Sequence, residues 1–159
     1  MESAIISGIA TDKNEAQITV LGVPDRPGIA FDILSQISNA NIEVDMIVQN
    51  IAQDGTTDFT FTVSENDYNK AFTITEESAA KMNARKVLGD KEIAKVSLVG
   101  LGMRSHAGVA SKMFQILADN GINIRMISTS EIKISVVIDI NHLEKAVRTL
   151  HEAFNLDGE

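Results

Sequence analysis

Three histidines, one pair of neighbouring carboxylates and one glycine–proline turn are the residues of this chain that invite a chemical reading. His142 and His151 stand nine positions apart, which places them on opposite faces of one helix and excludes them as a ligand pair. His106 directly follows Ser105, and adjacent side chains diverge, so the two do not make a nucleophile and its base. Gly100-Leu101-Gly102 suggests a dinucleotide loop, but Ser105 stands where a third glycine is required and no phosphate-loop lysine follows. Tight-turn glycines are the simpler account. Glu43 and Asp45 share one strand face, which more simply meets solvent or a partner. The chain has no cysteine, which excludes thiolate metal sites, iron–sulfur clusters and a cysteine nucleophile. No catalytic residue, metal site or cofactor is expected.

The segment Gly22-Val23-Pro24-Asp25-Arg26-Pro27-Gly28-Ile29-Ala30 is different. It reads as a strand–turn–helix junction, and a helix N-terminus offers unpaired N–H donors and a positive dipole end to a small carboxylate. Asp25 beside it can accept from a ligand ammonium, so the loop can hold both ends of an amino acid. A plainer reading stands next to that one: Asp25 is a helix cap and Pro27 a helix starter. Gln49 and Asn50, at the end of the following strand, add hydrogen-bonding groups and favour a site. Thr129 and Ser130 hold the corresponding positions later in the chain.

The elements that must position this junction follow from a repeat. With 159 residues, 44% hydrophobic and 23% charged, the chain suits one ordinary domain or two small ones. Aromatics are 4%, so the core must be aliphatic. Fourteen Lys and Arg against 22 Asp and Glu give a formal charge of −8, which argues against nucleic acid or an anionic membrane as partner. No apolar run approaches a membrane span and Met1–Thr11 lacks the features of a signal peptide, so a cytoplasmic protein is expected. A shift of 80 positions lays Gly22 on Gly102, Gly28 on Gly108, Ala30 on Ala110, Ile42 on Ile122, and Met46 on Met126. Two copies of one module are implied.

Each copy reads alike. Ala16–Gly22 and Ala94–Gly102 are strands. A turn follows, with Pro27 in the first helical turn, then Ile29, Ile33, Leu34 and Ile37 at helical spacing, matched by Val109, Met113, Phe114 and Leu117. Ile42, Val44, Met46 and Val48 alternate, as do Ile122, Ile124 and Met126, predicting strands with one covered face and both methionines in the core. Hairpins lead into Phe59–Val63 and Ile132–Ile138, and second helices span Asp67–Ala84 and Asn141–Phe154, the latter capped by Asn141. The order β-α-β-β-α plus one strand predicts an α+β fold of two ferredoxin-like βαββαβ domains, antiparallel sheets with helices on one face. Arg85–Leu88 can close the first copy. The second has only Asn155–Glu159 left, whereas Ala4–Ala10 is an apolar strand without a role in the first, and an unpaired sheet edge is a liability. The first domain, 14–92, is therefore read as inserted into a second of 1–13 plus 93–159.

The repeat with Asp25-Arg26-Pro27-Gly28 resembles the ACT domain, a small-molecule regulatory module. The runs Gln49-Asn50, Asp54-Gly55-Thr56-Thr57-Asp58-Phe59-Thr60-Phe61, Lys95–Gly100, Ile127–Val136 and Leu150–Phe154 resemble the regulatory part of bacterial aspartate kinase, over essentially the whole chain. That resemblance implies a non-catalytic regulatory region that binds threonine, lysine or both and inhibits an aspartate kinase catalytic domain or α subunit. It also implies a homodimer in which the first module of one chain lies beside the second of the other. Carried over position by position, the effector site is Asp25, Gly28, Ile29, Ala30 and Gln49, faced by Asn123 and Ile124 on the second module's strand. The chain departs at Gly121, where a relative carries a polar residue, which removes one side-chain contact. A parallel lobe of Met103, Ser105, His106 and Gly108 with Ser128 and Thr129 could hold a second effector; the plainer alternative is a structural, pseudo-symmetric turn. The rivals are a stand-alone ACT-repeat regulator and a small phosphatase on the same scaffold. Arg26 or Arg104 alone does not supply the phosphatase's anion-binding set. An RNA-binding module lacks its stacking aromatics.

Overall fold

Ile29, Ile33 and Ile37 recur every four residues and are all buried, which fixes one stripe of helix α1 (Ile29–Asn39) against a sheet. The computed structural model describes residues 5–51, 54–103 and 107–156. Its chain order is β1 (Ile5–Pro24), α1, β2 (Val44–Ile51), β3 (Thr56–Ser64), α2 (Tyr68–Lys81), β4 (Lys86–Leu101), α3 (Ala107–Asp119), β5 (Met126–Thr129), β6 (Lys133–Asp139) and α4 (Leu143–Ala153). Contacts divide the chain into two compact units, Asn14–Lys91 and Met1–Lys13 with Glu92–Glu159.

In the unit Asn14–Lys91, β3 pairs antiparallel with both β1 and β2, and the strand order is β2-β3-β1-β4. Ile18, Val20, Phe59, Phe61 and Val63 form one sheet face, and α1 and α2 cover it through Ile29, Ile33, Ile37, Ala71 and Ala79. In the other unit β6 pairs antiparallel with β4 and β5, and the order is β5-β6-β4-β1. Val96, Leu98, Ile134, Val136 and Ile138 meet Met113, Leu117, Ala146 and Leu150 of α3 and α4, with Ile6 and Ile9 of β1 packed against them. Both units are thus the predicted ferredoxin-like layer of strands with two helices on one face.

Several local readings of the sequence are corrected. The strands foreseen at Ala4–Ala10 and Ala16–Gly22 are one continuous strand from Ile5, Ala4 itself lying outside the described residues. Arg85–Leu88 and Ala94–Gly102 likewise fuse into β4, which begins at Lys86 and ends at Leu101. Pairing is made by main-chain groups, so the polar run Thr11-Asp12-Lys13-Asn14 does not interrupt it. Pro27 sits in the turn before α1 rather than in its first turn. Gly28, at φ +90°, takes the N-cap position, so Asp25 is not the cap.

A bulge in β2 between Val44 and Ile47 reverses the outward face of the strand. Ile47 lies opposite Phe61 and Gln49 opposite Phe59, so these point to the helix side, and Met46 points away from it. Met126 does the same in β5, opposite Val137, while Ile127 opposes the core residue Val136. Both methionines are buried but lie outside the two helix-side cores. The second helices also start differently from the sequence reading. Asp139 accepts from the Asn141 N–H at 2.8 Å and opens a short 3-10 turn, Ile140–His142, ahead of α4; Asn141 is not the cap, and His142 precedes the helix that carries His151. Ser64 opens the turn before α2 in the same way, accepting from Asn66 N–H at 3.3 Å.

Candidate functional site

Strand β1 does not run smoothly into the α1 junction. Its register with β3 jumps from Val20 opposite Phe59 to Val23 opposite Thr57, so Leu21 and Gly22 bulge out of the ladder. Gly22 has φ +66°, a left-handed conformation that glycine adopts at no steric cost. Its N–H donates to Asp58 Oδ1 at 3.0 Å, and the Arg85 N–H donates to the Leu21 carbonyl at 2.8 Å. Pairing resumes at Val23 and Pro24, and the Asp25 N–H then donates to the Gly55 carbonyl at 3.1 Å. The junction is therefore held against the β2–β3 hairpin.

That hairpin is itself braced. Asp54 accepts from the Thr56 N–H at 3.0 Å and from the Thr56 hydroxyl at 2.6 Å, bonds that hold its carboxyl below the ordinary aspartate range. The Thr57 hydroxyl donates to the Asn50 carbonyl at 2.7 Å, tying the strands just below the turn. Beyond the loop the α1 backbone closes its first turns by Ile29 N–H to Arg26 carbonyl, 3.3 Å, and Asp32 N–H to Gly28 carbonyl, 2.9 Å. Among the described residues no side chain caps α1, so the Ala30 and Phe31 N–H groups of its first turn have no side-chain acceptor. The arrangement suits an anion at the helix and a cation at Asp25, whose side chain is exposed.

Asp25, Gly28, Ile29 and Ala30 all belong to this junction. Asp25 and Gly28 are exposed and Ala30 is half-buried against the core, whereas the Ile29 side chain is in the core and leaves its main chain to the loop. Gln49 is exposed on β2, in the row that runs through Phe59 to Val20, at the loop end of the sheet. Asn123 and Ile124 belong to the other unit. They lie in the connecting segment before β5 and not on a strand as the sequence suggested; Asn123 is exposed and Ile124 packs on its unit's core. Of the second lobe, Met103 is a core side chain, Gly108 is in the first turn of α3, and Ser128 and Thr129 are exposed on β5. Ser105 and His106, like Arg104, lie outside the described residues.

Two further features were not singled out from the sequence. Asp58, which reads as one polar residue in an alternating strand, is the partner of the bulged Gly22. A groove of about 350 Å³ lies on the outer side of α1 and α2, lined by Arg26, Phe31, Asp32, Ile74, Lys81 and Met82. The exposed Arg26–Asp32 pair at its edge, 3.0 Å apart, contributes at most about 1 kcal/mol.

ACT domain models match residues 17–77 and 96–154. The aspartate kinase of Stutzerimonas stutzeri is 65% identical over 158 residues, which are 99% of this chain and 38% of that protein. The chain thus spans about two fifths of the length of the curated relatives that it matches. A crystal structure of aspartokinase α and β subunits contains a chain 57% identical, with a TM-score of 0.89 over 94% of this chain and 99% of that one. The ligand-free regulatory subunit of aspartate kinase from Thermus thermophilus is 39% identical, with the same TM-score and coverage.

Proposed function

Because the chain belongs to the aspartate kinase family, as its regulatory region with two ACT domains, we propose that it binds threonine, lysine or both and passes that binding on as feedback inhibition. The inhibited partner is an aspartate kinase catalytic domain or α subunit in the cytoplasm. The chain itself carries no catalytic step. A ligand shifts such a partner only through its differential affinity for the partner's conformations.

The observation that carries this reading is the uncapped N-terminus of α1 beside an exposed Asp25. The effector carboxylate accepts from the first-turn N–H groups and its ammonium donates to Asp25, while Gly28 and Ala30 keep the approach clear of side chains. Gln49 supplies a neutral polar contact to the rest of the ligand. In the proposed homodimer Asn123 and Ile124 of the second copy close the site. The domains are assigned as 14–92, inserted, and 1–13 plus 93–159. Met103, Ser105, His106, Gly108, Ser128 and Thr129 form the second lobe by pseudo-symmetry.

Calorimetric titration with L-threonine and L-lysine, singly and together, tests the proposal. Saturable heat at millimolar concentration or below is expected for at least one of them. Absence of binding by both, alone and combined, overturns it.

A further inference from the structure

We propose that Asp58 is a positioning residue for the effector loop: its carboxylate fixes the β1 bulge, and through it the direction in which Asp25 and the α1 N-terminus face the ligand. The inference rests on the effector reading of that junction. Asp58 occupies the β3 position between Thr57 and Phe59, the two residues whose β1 partners flank the bulge. At this position no β1 residue continues the ladder, and the Asp58 side chain supplies the acceptor for the Gly22 N–H, 3.0 Å away. A bulged N–H otherwise lacks a sheet acceptor, and an unmade main-chain bond is costly in a part-buried setting.

The other side of the bulge is equally constrained. Leu21 is held by the Arg85 N–H, and a side chain at position 22 would bring its Cβ to 2.9 Å from Arg85 Cβ. A side chain at Gly22 is therefore strained. The Leu21–Gly22 peptide plane is held at both ends, its carbonyl by the Arg85 N–H and its N–H by Asp58, so that losing the Asp58 bond leaves only one of the two restraints. Only Val23 and Pro24 separate the bulge from Asp25, and both are paired to β3. A rotation at Gly22 is passed along this short paired segment to the loop, with little slack to absorb it. The braced hairpin tip, Asp54 to Thr56, gives Asp58 a stiff base.

The test compares Asp58→Ala with Asp58→Asn in the full chain. Asn keeps an acceptor oxygen at the same place; Ala removes it. Expected for Asp58→Ala is an affinity for L-threonine or L-lysine weaker by about tenfold or more. Its thermal midpoint should fall by only a few degrees, as the loss of one main-chain bond implies, and amide exchange at Gly22 and Asp25 should quicken while that at Ile33 stays unchanged. Asp58→Asn should recover most of the affinity and the slow exchange. Unchanged affinity in Asp58→Ala overturns the proposal. So does an equal loss in both variants together with a collapse of the midpoint, which marks Asp58 as a stability residue. If the parent protein binds neither amino acid, the effector reading fails on its own. The exchange measurement then decides the positioning: slow exchange at Gly22 in Asp58→Ala overturns it, and quickened exchange confined to Gly22–Asp25 supports it.

Discussion

Ser97 and Ser135 face each other across β4 and β6 with their hydroxyl oxygens 2.6 Å apart, both side chains buried. One hydroxyl donates and the other accepts, in a place where a lone hydroxyl would have no water to turn to. Ser135→Ala should cost about 1–3 kcal/mol by leaving Ser97 unsatisfied. The double substitution to Ala should cost less than the sum of the singles, because it removes both polar groups together. Urea unfolding of the four proteins checks this. Additive losses would show that the pair is not coupled.

Ile6 and Ile9 of β1 pack against the core built on Val96, Leu98, Met113 and Leu117, far along the chain from their own position. Ile9→Ala should destabilise by about 1–2 kcal/mol, below the value for a fully buried isoleucine. Removing residues 1–10 should lower amide protection in 92–156 before it does so in 14–91. Loss beginning in 14–91 would contradict the assignment of this strand.

Gly89 in β4 has no space for a side chain: an added Cβ would overlap the Tyr68 hydroxyl and lie 3.0 Å from a Phe72 ring carbon. Gly89→Ala should therefore cost about 1–3 kcal/mol by forcing α2 and β4 apart. Gly8 is the control, since a Cβ there meets nothing within 4 Å. Gly8→Ala should stay within about 0.5 kcal/mol. Comparable losses at the two positions in thermal unfolding would refute the packing explanation.

Asp54 has a folded-state pKa depressed chiefly by the Thr56 hydroxyl and amide. The unfolded chain binds a proton near the ordinary value of about 3.9 while the folded one does not, so stability is favoured above that pH. It falls as pH drops through the depressed folded value. The midpoint difference between the parent and Asp54→Ala should thus be present at pH 7 and shrink toward pH 3. A difference independent of pH would leave the ionised carboxylate without a role.

The period of the apolar residues and the 80-residue shift made the two-module fold legible, since burial of one face writes itself into spacing. What spacing does not encode is main-chain continuity. Strand β1 runs through Thr11–Asn14 and β4 through Gly89–Lys91 with no apolar signal in either stretch. A single extra residue in β2 reverses Met46, and sequence alternation alone carries no mark of such a bulge. The caps were misread for a similar reason: Asp139 and Asn141 are both competent, and only the 3-10 turn between β6 and α4 decides for Asp139. At the candidate site Asp25, Gly28 and Ala30 stood out by type, because a turn before an amphipathic helix is a local pattern. Asp58 did not, because its partner Gly22 is 36 positions away and is exposed to it only by the bulge.

Ala30 is the position at which an effector site at the α1 N-terminus is most sharply tested. It stands in the first turn of α1 and is half-buried beside the core. On the proposed site, a larger side chain there reaches the space assigned to the amino acid. Ala30→Val and the parent protein should be titrated with L-threonine and L-lysine, and their thermal midpoints compared without ligand. Binding weaker by about 10–200-fold is expected in Ala30→Val, with the midpoint little changed. A lowered midpoint with unchanged affinity would make Ala30 a packing residue and would contradict an effector site at this helix N-terminus.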